Sequence, residues 1–236
     1  MHEQNLLAET LPEHLGFIID GNRRWAKEHG LPAYEGHLAG YTALKDIVIY
    51  TLGRGVKYVS LYAFSTENWK RDAGEVSNLM KLTIRVATTD IKELIEHNIR
   101  VRFLGIKEGL SDKVIAAMEN AEQQTKHLTG GTALVCFNYG GHREIADAAR
   151  KCLEDGLSPA EITEQAIAER LYAPDIPPVD MVVRTSGEKR ISNFMLWRVA
   201  YSEFMFLDKY WPIMTKTDVE AIIKEYSRRQ RRFGGN

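Results

Sequence analysis

The sequence predicts an α/β fold: a single domain of about six mainly parallel strands, with helices flanking both faces. Three observations carry this. Short apolar runs of strand length alternate with longer segments of helical spacing along the chain. No Pro/Gly/Ser linker, internal repeat or low-complexity stretch divides the 236 residues, a length that single α/β domains reach. The chemically loaded stretches follow predicted strands, and open parallel sheets hold ligands beyond the carboxyl ends of their strands.

The elements follow in order. Residues 15–19 form the first strand, ending at Asp20-Gly21-Asn22, where the chain turns toward a helix. Residues 41–52 have helical spacing in Leu44, Ile47 and Val48, and Gly53 and Gly55 follow. The second strand covers 56–64, rich in Val, Tyr, Leu and Phe. One long helix is predicted over 75–98, from an apolar set that includes Val76, Leu79, Ile84, Ile91 and Leu94. A third strand over 99–104 stops at Gly105, a helix covers 112–128, and a fourth strand covers 132–137. Another helix runs over 143–154. Ser158-Pro159-Ala160-Glu161 signals a further helix start, with a Ser cap, Pro at the first position and Glu closing a capping box. Strands are expected over 181–183 and 204–207, and Thr217-x-x-Glu220 caps a last helix that enters an Arg-rich tail. The expected domain is the whole span 1–236. Within it, 1–13 is read as a disordered N-terminal segment and 228–236 as the tail.

Composition excludes several classes. The formal net charge is −1, which argues against a whole-protein footprint for nucleic acid, although Arg228, Arg229, Arg231 and Arg232 cluster locally. Two cysteines, Cys136 and Cys152, make neither a CxxC pair nor a disulfide ladder, so a reducing compartment is the easier reading. The first residues lack a signal-peptide pattern, and no run has transmembrane length. A cytoplasmic protein is expected, with contact at a membrane surface left open.

Three stretches carry chemistry. The first is Asp20-Gly21-Asn22-Arg23-Arg24-Trp25. A strand-end Asp can hold a hard cation such as Mg2+, and a Gly turn with two arginines suits phosphate. Taken alone, a plain turn with solvated arginines explains it as well. The second runs Ser65-Thr66-Glu67-Asn68-Trp69-Lys70-Arg71. Ser65 and Asn68 can orient a reacting group and Arg71 can meet a diphosphate, or the segment is a Ser-capped turn with Trp69 packing. The third, 184–194, sets Arg184, Lys189, Arg190 and Ser192 around Gly187 directly after an apolar strand, a concentrated anion site. Glu203 is either a paired structural charge or a second cation ligand. His37 is structural or a proton shuttle, and the seven histidines show no zinc spacing. A P-loop and a GxGxxG turn are both absent.

The motifs DGNRRWA, YAFSTENWKR and RTSGEKRISNFMLWRVAYSEFMF, with Asn138-Tyr139-Gly140-Gly141 and the terminal RRFGG, occur in order from residue 14 to the C-terminus. Together they resemble the cis-prenyltransferases of the undecaprenyl diphosphate synthase type. The resemblance implies a hydrophobic tunnel, Mg2+ dependence, and condensation of isopentenyl diphosphate with an allylic diphosphate, farnesyl diphosphate being the expected starter. It implies that Asp20 is the catalytic metal ligand, that Gly21, Asn22, Arg23 and Arg24 bind the allylic diphosphate, and that Trp25, His37, Ser65, Thr66, Glu67, Trp69 and Arg71 line the same site. Asn68 would assist proton removal. Arg184, Arg190, Ile191 and Ser192 would hold isopentenyl diphosphate, with Glu203 as a second Mg2+ ligand. A homodimer, with the RRFGG tail reaching the partner's site, and an undecaprenyl carrier-lipid product are implied as well, a shorter-chain Z-prenyl diphosphate being the alternative product.

The chain departs from the pattern at Ala33, where relatives often carry a basic residue, at Arg23 and Ser186, where Gly is common, and in Thr83, Arg85, Thr88 and Thr89 of the long helix. Two rivals follow. A non-catalytic subunit should have lost Asp20 and the Asn68 motif, which this chain keeps. An RNA-binding module sits poorly with the balanced charge.

Overall fold

The computed structural model describes residues 10–229. The sheet has six strands: β1 His14–Ile18, β2 Tyr58–Ser65, β3 Arg100–Leu104, β4 Thr132–Tyr139, β5 Met181–Arg184 and β6 Glu203–Phe206. Their spatial order is β3-β4-β2-β1-β5-β6, and every neighbouring pair is parallel. The expected mainly parallel sheet is thus parallel throughout.

Parallel strands need long crossovers, and helices supply them on both faces. All five residues of β1 are consequently buried. Leu15 and Phe17 join one core with Ile47, Val48, Trp211 and Ile222, while Ile18 joins the opposite core with Val182, Phe194 and Met195. Trp211 has no exposed surface, packs 5.6 Å from Phe17 between ring centres, and donates its indole N–H to Gly40 O at 2.9 Å. Burying such a side chain contributes about 2–3 kcal/mol.

The chain leaves β1 toward β2 on one side and leaves β5 toward β6 on the other. β1 and β5 are neighbours, so a crevice opens between their carboxyl ends. Ile18 is in register with Arg184 there, which brings the first and third loaded stretches together. Helix α1 (Asn22–Glu28) follows β1 at once, and α2 (Ala33–Gly53) returns across the sheet, starting eight residues before the helix expected from residue 41.

The long helix expected over 75–98 runs without a break from Ala73 to Glu96, as α3 (Ala73–Arg85) and α4 (Ile91–Glu96) joined through a π-helical turn at Val86–Asp90. Thr83 and Thr88 donate their hydroxyls to the carbonyls of Leu79 and Ile84, four residues back, a pattern that bends helices. Helices α5 (Asp112–Thr125) and α6 (Gly141–Glu154) lie close to expectation. The Ser158 capping box forms, but only over the turn Pro159–Glu161, because Ile162 leaves helical geometry. Helix α7 (Glu164–Ala168) starts later, capped by Thr163. The last helix, α8 (Lys216–Arg228), is capped by Thr215 and Asp218 rather than Thr217 and Glu220. The Glu220 carboxylate is instead engaged by Tyr50 and Arg54.

The N-terminal segment expected to be disordered is fixed from residue 10 onward. Pro12 is buried, Leu11 packs on the core, and Glu13 N donates to Asp180 Oδ2 at 2.7 Å. Residues 1–9 lie outside the described residues, as do 230–236, which include most of the Arg-rich tail.

Candidate active site

Asp20 stands two residues past β1, and its backbone is held on three sides. Its N–H donates to Thr185 Oγ1 at 3.0 Å, and its carbonyl accepts from Thr185 Oγ1 at 2.7 Å and from Trp211 N at 3.0 Å. The carboxylate meets the next strand: Arg184 Nη2 donates to Oδ2 at 2.9 Å, Gly21 N donates to Oδ1 at 2.7 Å, and Arg24 lies 3.4 Å away. Partial burial pushes this carboxyl upward. The Arg184 hydrogen bond and charge, with help from Arg24 and the Gly21 N–H, outweigh it and hold the group below the usual aspartate range.

Arg184 is nearly buried and braces the following loop. Its Nη1 donates to Arg190 O at 2.5 Å and to Ser192 Oγ at 2.8 Å, while its Nε has no hydrogen-bond partner among the described residues. The loop is strained, with φ of 75° at Ser186, 48° at Ser192 and 68° at Asn193. Ser186 therefore occupies a conformation that glycine adopts freely. Its substitution carries a backbone cost, set against a hydrogen bond that its Oγ accepts from Arg24.

On the opposite wall Ser65 and Asn68 form a reciprocal cap, in which Ser65 N donates to Asn68 Oδ1 at 3.1 Å. With that oxygen engaged, the Asn68 amide N–H group is what remains for a ligand. Glu75, at the start of α3, gathers three further groups: Arg71 at 3.0 Å, His37 at 3.1 Å and Arg23 at 3.7 Å. Burial lowers the His37 pKa more than Glu75 raises it, so the imidazole is neutral at pH 7.

These groups line one polar cleft. From the first stretch it takes Asp20, Gly21, Asn22, Arg23 and Arg24, and from α2 it takes His37. The second stretch contributes Ser65, Glu67, Asn68 and Arg71, and the third contributes Arg184, Arg190 and Ser192. Three segments remote in sequence thus converge.

The other predicted residues do not line this cleft. Trp25 turns back along α1 to stack on His29 at 4.4 Å. Thr66 lies against Gly140 at the start of its turn. Trp69 donates to Asn138 Oδ1 at 2.8 Å and packs edge-on to Phe64, so its packing role is the one observed. Ile191 packs against the core cluster around Phe194. Glu203 stands apart from this cleft within the chain: it opens β6 opposite Met181, whereas Arg184 lies opposite Phe206. Three residues of strand, about 10 Å, separate it from the Asp20 end of the sheet. It pairs instead with Arg229 at 2.9 Å. No group of three His, Cys, Asp or Glu residues suited to a metal occurs among the described residues.

Sequence reasoning missed Lys27, Tyr62, His142 and Asn193, which line the cleft, and Glu75 behind it. Glu75 had one local signal, its position four residues after Arg71.

Below the cleft lies an apolar cavity of about 120 Å³ between the sheet, α2 and α3–α4. Leu44, Val48, Leu61, Leu82, Val86 and Val135 are among its walls. Ile19, Asn22, His37, Ala63 and Leu79 border both spaces, so the cleft and the cavity adjoin.

The sequence profile described as putative undecaprenyl diphosphate synthase matches residues 18–234. The chain belongs to this prenyltransferase family. An isoprenyl transferase of Thermotoga maritima is 45% identical over 95% of the chain and 97% of the relative. A trans,polycis-polyprenyl diphosphate synthase specific for (2Z,6E)-farnesyl diphosphate, from Thermobifida fusca, is 46% identical over 96% and 82%. The crystal structure of lavandulyl diphosphate synthase from Lavandula x intermedia with dimethylallyl diphosphate superposes with a TM-score of 0.91 at 33% identity, covering 95% of this chain and 98% of that one. The prenyltransferase fold, with its enzymatic activity as a cis-prenyltransferase, is therefore common to this chain and its relatives. No helix among the described residues is long and apolar enough to cross a membrane.

Proposed function

We propose that this protein extends farnesyl diphosphate with successive isopentenyl diphosphate units to a Z-polyprenyl diphosphate, undecaprenyl diphosphate being the expected product. The observation that carries the reading is the junction of a cationic cleft with an apolar cavity through shared wall residues. Diphosphates need the first and a growing hydrocarbon chain needs the second.

Asp20 fits Mg2+: it is one partly exposed, ionised carboxylate in a polar cleft, and Mg2+ commonly takes one or two carboxylates with substrate phosphates and water. When bound, the metal would neutralise charge on a diphosphate. Arg23, Arg24 and Lys27 line the allylic side and supply positive charge beside Ala33. Arg190 and Ser192, braced by Arg184, hold isopentenyl diphosphate. The allylic C–O bond breaks as diphosphate leaves, and the allylic carbon bonds to the isopentenyl double bond held beside it. Loss of a proton then sets the new double bond. Asn68 orients this step through its amide N–H group rather than accepting the proton itself.

We also propose a homodimer, with Glu203 and Arg229 near the β6 edge, and peripheral membrane contact for product release. Incubation with farnesyl diphosphate, labelled isopentenyl diphosphate and Mg2+, followed by chromatography, tests the reading. A polyprenyl ladder supports it, and absence of any extended product sinks it.

A further inference from the structure

Asn193 joins walls of the cleft that come from different parts of the chain. It belongs to the loop that follows β5, yet it reaches the segments that leave β2 and β4, which lie two and three places from β5 in the sheet. Its Oδ1 accepts from His142 N at 2.8 Å, and its backbone carbonyl accepts from Gly141 N at 2.8 Å. Its Nδ2 donates to Glu67 Oε1 at 3.1 Å.

Two of these bonds are helix capping. Gly140, at the cap position of α6, has no side chain to offer, and Asn193 satisfies the first two N–H groups of that helix from a remote loop. Capping does not account for the amide nitrogen, which is spent on Glu67, the residue before Asn68. Burial pushes the Glu67 carboxyl upward, but hydrogen bonds from its own N–H, Ser65, Asn193 and Thr66 outweigh it and hold the group below the usual range. An amide is the group this place requires, because one end must accept from an N–H while the other donates to a carboxylate. Aspartate serves only the first partner, and alanine serves neither. The packing is close: a Cβ on Gly140 would lie 2.8 Å from both Asn193 Nδ2 and Thr66 Oγ1.

We propose that Asn193 is a positioning residue for the condensation, its side chain fixing the Asn68 turn against the isopentenyl loop of Arg190 and Ser192. The inference rests on the roles given above to Asn68 and to that loop. Asn193 directly follows Ser192 and Glu67 directly precedes Asn68, so one hydrogen bond spans the two walls. The groups assigned to the diphosphates are anchored elsewhere. Arg184 holds the Arg190 carbonyl and the Ser192 hydroxyl, and Glu75 holds Arg23 and Arg71. Loss of the bridge therefore leaves binding in place and disturbs alignment, and a displacement of about 1 Å can cost about 10²-fold in rate.

The test uses the full chain with farnesyl diphosphate, labelled isopentenyl diphosphate and Mg2+, each substrate varied in turn. Asn193→Asp keeps the α6 cap, and aspartate tolerates the left-handed φ of 68° found here, but the change sets two carboxylates face to face. Its kcat should fall by about tenfold or more, with KM for each substrate within about threefold of wild type. Glu67→Gln alone should be mild, because its side-chain carbonyl still accepts from Asn193. Asn193→Asp/Glu67→Gln turns the bridge round, the new amide donating to the new carboxylate, and kcat should recover to within about threefold of Glu67→Gln. A purely structural cap predicts no such reciprocal rescue. An unchanged kcat in Asn193→Asp, a loss that Glu67→Gln does not repair, or a variant that circular dichroism shows unfolded at the assay temperature overturns the proposal and leaves elongation intact. A rise in KM for isopentenyl diphosphate with kcat unchanged overturns it too, since Asn193 would then act in binding. A wild-type protein that makes no extended product removes the elongation reading and the role of Asn193 with it.

Discussion

Arg184 Nη2 and Asp20 Oδ2, 164 residues apart in the chain, meet at 2.9 Å across the crevice between β1 and β5. The same guanidinium reaches the Arg190 carbonyl and the Ser192 hydroxyl. One buried arginine therefore ties the proposed metal carboxylate to the loop proposed to hold the second substrate.

Asp20→Ala should abolish turnover and leave the fold in place, because the Asp20 backbone is held by Thr185 and Trp211 independently of its side chain. A rate loss of about 10²–10³-fold or more is expected for removing a group that stabilises developing charge. Single-turnover kinetics and circular dichroism check both halves. A fully active variant removes Asp20 from the mechanism.

Arg190→Ala should raise KM for isopentenyl diphosphate by about tenfold or more, the size of one hydrogen bond to a charged group. KM for the allylic substrate should change far less. Steady-state kinetics with each substrate varied in turn measures this, and equal effects on both would move Arg190 out of its assigned subsite.

Glu75→Ala should loosen Arg23, Arg71 and His37 together. KM for the allylic diphosphate is expected to rise by roughly three- to tenfold, since two cleft arginines lose their common anchor. Glu75→Gln keeps hydrogen-bonding capacity and should fall between the variant and wild type. An allylic KM unchanged in Glu75→Ala would reduce Glu75 to a structural charge.

His14 gives a pH dependence at the far end of β1. It is fully buried between Ser60 Oγ at 2.7 Å and Pro177 O at 2.9 Å, and burial lowers its pKa from 6.5 to about 4. The unfolded chain binds this proton more readily than the folded one. The His14 contribution is thus fully present above pH 6.5 and is lost as pH falls toward 4, by about 3 kcal/mol in all. Denaturant melts of wild type and His14→Asn between pH 7.5 and 4 test it. Parallel slopes for the two proteins would show that His14 is not the group responsible.

Much of the site was legible because its signals are local. Asp20-Gly21 after β1, the Ser65 cap and the arginines after β5 each declare themselves within a few residues, and all three stretches reached the cleft. Where reasoning from neighbours failed, helix geometry is the cause. Successive residues of a helix point about 100° apart. Arg24 therefore faces the cleft while Trp25 stacks on His29, and Asn68 faces it while Trp69 packs on Phe64. Lys27 joined the cleft from a position that no motif marked, and Glu75, behind it, was marked only by its i,i+4 spacing from Arg71.

The sequence by itself determined the α/β class, the single domain and the three loops that carry chemistry. Alternating apolar period and turn residues are properties of short segments and survive without knowledge of what packs on them. Only the tertiary structure decided that the strand order reverses at β1 and β5, that Arg184 braces Asp20, that Glu203 falls at the other end of the sheet, and that α2 and α3–α4 enclose a cavity below the cleft. Those relations join residues separated by tens to hundreds of positions, and they exist only once register and packing have set which strand ends share an edge.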